Sequence, residues 1–84
     1  MLGADLDAQN ILSVEVNSST GKIFIEVTDY SSPMQLGVAG SSAYVDAMFA
    51  VAISAKLEGQ SNVWLSYTVS NGQAIVNSIA FGSR

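Results

Sequence analysis

The sequence predicts a mainly-β domain with one helix, in the order β-β-β-α-β-β. Short runs alternate apolar and polar residues with the two-residue period of half-buried strands. Residues 44–57 break that pattern with a composition rich in the helix formers Ala and Met. Turn residues stand between the runs, so each is a separate element rather than part of one long strand.

Residues 1–10, MLGADLDAQN, carry Gly3, Asp5 and Asp7 and show no clear period, which predicts a loosely held lead-in. In residues 11–17, Leu12, Val14 and Val16 alternate with Ser13 and Glu15. Ser18-Ser19-Thr20-Gly21 supplies a turn, and residues 22–28 resume the alternation, with Ile23, Ile25 and Val27 on one face and Lys22, Phe24 and Glu26 on the other. These two runs predict a hairpin in which Glu15 and Glu26 face each other. Asp29-Tyr30-Ser31-Ser32-Pro33 is a break containing the only proline, which belongs at a turn or the mouth of a strand. Residues 34–39 form a short third strand, in which Gly37 marks a bulge or a close backbone approach. After the helix, residues 63–69 place Val63, Leu65, Tyr67 and Val69 on one face and Trp64, Ser66 and Thr68 on the other. Asn71-Gly72 favours a type I′ turn, and residues 74–81 make the fifth strand. Five strands with a helix between the third and fourth are the arrangement of the OB-fold five-stranded barrel. An open antiparallel sheet with the helix across one face is the alternative. Nothing divides the chain, so residues 1–84 are expected to be one domain.

The helix has an unusual composition. Ser41 or Ser42 suits its start and Gly59 its end, while Asp46 in the first turn and Lys56 in the last suit its dipole. At about 100° per residue, Tyr44, Met48, Val51, Ala52 and Ala55 form one apolar stripe, widened by Val45 and Phe49. Ala50, Ile53 and Leu57 lie nearly opposite. A helix apolar on every side is buried on more than one side. One small sheet covers one side, which predicts that a second copy of the chain covers the other; a monomer with a central helix is the alternative. Tyr44, Met48, Phe49, Ile53 and Leu57 are the expected contacts of this self-association.

Composition points the same way. An 84-residue domain buries only about 60 to 65% of its unfolded surface. It has no cysteine for disulfides and no histidine, so a conventional zinc site lacks ligands. Oligomerisation is the stabilising device that remains. Three basic residues against seven acidic, a net charge of −4, argue against nucleic acid as a partner. An apolar content of 49% argues against disorder. No apolar run is long enough for a membrane span, and the N-terminus lacks the basic and apolar regions of a signal peptide.

Without His or Cys the common triads and thiol nucleophiles are excluded. No phosphate-binding glycine fingerprint appears, so the chain is read as a non-enzyme needing no cofactor. Aromatic residues remain as candidate binding groups. Tyr30 lies in the break among Asp29, Ser31 and Ser32, where loop residues commonly carry function. Trp64 and Tyr67 fall on opposite faces of one strand, so one of them lies outside the core or in an interface. A ring beside hydroxyls and a carboxylate suits a sugar, whose apolar face packs on the ring while polar groups hold its hydroxyls.

The run TGKIFIEVTDYSS, followed by a short strand and then AYVDAMFAVAISAKLEGQSNVWLSYTV, resembles the B subunits of pertussis-toxin and subtilase-cytotoxin type, the typhoid-toxin relative included. In that family an apolar helix passes through a Thr-Gly-Gln-like step into a strand, as Leu57-Glu58-Gly59-Gln60 leads here to Val63. The segment around Ala52-Ile53-Ser54-Ala55 is most similar to the pertussis member. The resemblance implies a secreted or periplasmic OB-fold that assembles into a pentameric ring, its helices lining the central channel. It also implies binding of cell-surface glycans, often sialylated, for delivery of a separate toxic A subunit. Carried over by position, the family's sugar contacts fall on Asp29, Tyr30 and Ser31 after the second strand and on Tyr67. The family's disulfide cysteines are missing here, and its N-terminal sugar-binding serine falls near residues 7–9, where no serine stands.

Overall fold

Two of the three antiparallel hairpin and strand junctions form where turn chemistry puts them. The computed structural model describes residues 2–37 and 42–82. Its elements are β1 (Leu2–Gln9), β2 (Ile11–Asn17), β3 (Lys22–Val27), β4 (Tyr30–Leu36), α1 (Ser42–Leu57), β5 (Val63–Ser70) and β6 (Gln73–Phe81). Between β2 and β3, the Asn17 side-chain oxygen accepts from the amides of Ser19 and Thr20, and Gly21 takes a φ of +72°. Between β5 and β6, Asn71 and Gly72 both have positive φ, as a type I′ turn requires.

The six strands form one sheet in the order β1-β5-β6-β4-β3-β2. Neighbours are antiparallel except β4 and β6, which run parallel through Gln35 and Leu36. The sheet is open, with β1 and β2 at its edges. These edge strands are consecutive in the chain, with only Asn10 between them.

Two expectations about strands are corrected. The lead-in is a sixth strand, β1, paired with β5 from Leu2 opposite Val69 to Leu6 opposite Leu65. Its alternation is hard to read because alanine and glycine occupy half of its non-acidic positions. It is then broken by a bulge after Leu6, where Ala8 adopts a φ of +56°. The third predicted strand begins earlier than expected, at Tyr30, so Tyr30 is a strand residue. Pro33 is accommodated inside β4 because pairing with β6 starts only at Gln35, where the missing N–H is no longer an issue. Residues 38 and 39, expected in this strand, and Ser41, a candidate cap, lie outside the described residues.

The register also separates Glu15 from Glu26. The four-residue turn places Glu15 opposite Phe24, and Glu26 opposite Ser13, whose hydroxyl donates to Glu26 at 2.8 Å. The carboxylates are therefore diagonal neighbours.

The core gathers Ile23, Ile25 and Val27 from β3, Met34 and Leu36 from β4, Val63 and Leu65 from β5, and Ala74 and Val76 from β6. Each large side chain buried this way contributes roughly 1.5 to 3 kcal/mol. The helix lies mainly against β6 and β2. It presents Val45, Met48, Ala52 and Ala55, the three-and-four spacing of one helical face. Gly37 makes the approach possible: a Cβ there would stand 2.8 Å from Val45 Cγ2 and 3.0 Å from Met48 Cε. At its C-terminus α1 closes with Gly59 at φ +66°, whose amide donates to Lys56 O, while Gln60 N donates to Ala55 O. Because α1 begins at Ser42, Asp46 falls in its second turn rather than its first.

Met48, expected at a contact between copies, is instead 9% exposed and part of the core. Phe49 is half-buried against the same core, and Ile53 is half-buried. Tyr44 and Leu57 are 74% and 81% exposed.

Candidate ligand-binding site

Strand alternation builds the site. Ile23 and Ile25 point into the core, so Phe24 between them is turned to the outer face of the sheet. Its ladder neighbours are Glu15 on β2 and Gln35 on β4, and the row continues to Ile75 on β6 and Thr68 on β5. Beside Phe24 opens a cleft of about 240 Å³ whose walls include Glu15, Tyr30, Ser32, Pro33 and Gln73.

Gln73 is fixed in this cleft by its own amide. Its Nε2 donates to Pro33 O and to Ala74 O, each at 3.0 Å. Only the NH2 end of the amide can donate to a carbonyl, so these contacts define which end is nitrogen and leave Oε1 as an acceptor. The cleft thus combines two aromatic rings, a carboxylate, a serine hydroxyl and an oriented amide oxygen. Such a surface can pack against an apolar ring face while accepting hydrogen bonds from several hydroxyls.

The four residues expected to touch a ligand have separate surroundings. Tyr30 and Tyr67 meet edge to face, with ring centroids 5.1 Å apart and an interplanar angle of 67°. Both are half-buried and pack against the core. Tyr67 stands opposite Val76 and Tyr30 opposite Val27, two of the most buried side chains. Tyr30 also reaches the cleft, whereas Tyr67 is not among its lining residues. Asp29 is engaged elsewhere: its Oδ2 accepts from Gln9 Nε2 and its amide donates to Gln9 Oε1, both at 2.8 Å. Gln9 is itself only 1% exposed, and its Nε2 also donates to Asp7 O. Ser31 is exposed, and Ser32 rather than Ser31 lines the cleft. Trp64 is half-buried opposite Ala80.

Phe24, Glu15 and Gln73 are the site residues that sequence reasoning missed. The available signal was an aromatic ring on the polar face of an alternating strand. Gln73 carried none, because its place depends on β6 lying beside β4. Among the described residues no three His, Cys, Asp or Glu side chains converge as a metal site. Among the same residues no helix is long and apolar enough to cross a membrane. No protein-family model matches the sequence, and no curated protein matches it.

Proposed function

We propose that the chain is a non-enzymatic glycan-binding subunit that assembles with copies of itself into a ring, most simply a pentamer. The observation that carries the binding reading is the outer-sheet cleft, where Phe24 and Tyr30 meet Glu15, Ser32 and the oriented Gln73 oxygen. In this reading Tyr30 is the shared element: one side of its ring packs on Tyr67 and another faces the ligand.

The ring reading rests on α1, whose side away from the core carries the exposed Leu57 and the half-buried Ile53, while Tyr44 is exposed near its N-terminus. Apolar side chains this exposed on a small domain suit contact with a second copy. We infer also that β1 and β2 act as two halves of one bent strand, so that the sheet curls into a five-stranded OB barrel. Supporting this, Gln9 bonds to Asp29, Asn10 N donates to the Thr28 hydroxyl, and that hydroxyl donates to Asn10 O. These bonds tie the β1–β2 junction to the end of β3. By the resemblance of sequence, a secreted or periplasmic location, a cell-surface glycan and a separate toxic A subunit complete the proposal.

A structural oligomer of the same fold that binds no sugar is the second reading, favoured by the packing of Tyr30 and Tyr67 on the core. A glycan array on the purified protein, with light scattering for its mass, tests both. Retention of glycans by a species several times heavier than 8.8 kDa is expected. An oligomer that retains none would favour the structural reading, and a species of 8.8 kDa would overturn the ring.

A further inference from the structure

The cleft beside Tyr30 is half of a longer groove. On the other side of Phe24 lies a second opening of about 340 Å³, lined by Lys22, Gln35, Ser70, Asn71 and Ile75. Phe24 and Gln73 belong to both. From Glu15 on β2 to Ile75 on β6 the row crosses three strand spacings, about 14 Å in all. That is longer than one pyranose ring.

Polar groups of the second opening are arranged as in the first. Gln35 Nε2 donates to Gly37 O at 3.0 Å, which fixes its nitrogen and leaves Oε1 as an acceptor. Ser70 and Asn71 add hydrogen-bonding groups on the β5–β6 turn. The charged lining residues of the two openings together are Glu15 and Lys22, one of each sign. No excess positive charge is present to select an acidic ligand. Acceptors with directed geometry, neutral balance and a central aromatic platform match a polyhydroxylated, uncharged chain.

We propose that this groove binds a neutral oligosaccharide along its length, with Phe24 as the platform between two sugar subsites. This rests on the glycan reading above and specifies its ligand. The first subsite is walled by Glu15, Tyr30 and Ser32, the second by Lys22, Gln35 and Ile75, and Gln73 serves both.

The test is an array of neutral and sialylated glycans of increasing length, followed by titration of the full chain with the single sugar and the trisaccharide of the best neutral series. Affinity is expected to rise about tenfold or more from single sugar to trisaccharide. Ile75→Trp, which fills the second opening, should abolish the gain in affinity from the single sugar to the trisaccharide. Ser70→Trp carries the same expectation from another wall, should Ile75→Trp fail to fold. Equal affinity for both lengths, trisaccharide binding unaffected by a folded tryptophan variant, or preference for sialylated chains would each overturn the two-subsite groove while leaving glycan binding intact. Retention of no glycan at all would overturn the glycan reading itself.

Discussion

Single residues in this protein are held by geometry that their neighbours impose, and the glycines show it most clearly. Gly37 and Gly59 share a positive φ, yet a Cβ on Gly59 meets nothing within 4 Å while one on Gly37 collides with Val45. Gly59→Ala should therefore cost about 1 kcal/mol, the left-handed penalty alone. Gly37→Ala adds overpacking under the helix and should cost roughly 3 kcal/mol, read from the shift of a urea midpoint. Equal effects would mean that α1 sits farther from β4. Tyr30 offers a second contrast. Tyr30→Phe should keep the edge contact with Tyr67 and its stability, whereas Tyr30→Ala should destabilise the fold by about 2 kcal/mol. A Tyr30→Ala variant with unchanged melting would mean the ring is not part of the packing. Gly37 was legible as a bulge or a close approach, and it is the close approach that holds, although the strand it was assigned to ends at Leu36. The tie between Gln9 and Asp29 was not, since it joins side chains twenty positions apart with no local pattern.

At the scale of elements, the hairpins were readable because their turns announce them, and α1 because its composition differs from everything around it. Which side of α1 faces inward was not readable. The stripe of Met48, Ala52 and Ala55, widened by Val45 and Phe49, was legible and is the side that packs on the core, but with Ala50, Ile53 and Leu57 opposite it equally apolar, only the position of β6 and β2 decides between the two sides. The two sides should respond differently to charge. Met48→Asp places a carboxylate in the core and should prevent folding, since an isolated buried charge costs many kcal/mol. Ile53→Asp and Leu57→Lys should leave a folded domain by circular dichroism but reduce the mass in light scattering to that of one chain. Unchanged mass for both would place the contact between copies on another surface.

The whole molecule joins its parts over long separations in sequence, and this is where reading the chain in order falls short. The strand order around β6 depends on its parallel contact with β4, and β1 finds its partner β5 across most of the sequence. Neither pairing has a local signature, so the sixth strand, and all of the outer groove but Phe24, were invisible to periodicity. Self-association is a property of the same scale. If copies bind only through the folded state, the melting temperature should rise with protein concentration, following mass action. A melting temperature constant over a hundredfold dilution would describe a monomer. The pairing of β1 with β5 has one more consequence, for synthesis. At about 5 to 20 residues per second, β1 leaves the ribosome seconds before β5 exists to receive it. During that interval its backbone donors and acceptors are open to any neighbouring nascent chain. Asp5 and Asp7, both at exposed positions, place negative charge along that waiting strand. Like charges set opposite one another disfavour pairing between two such strands, so these acidic residues act as gatekeepers until the proper partner is translated.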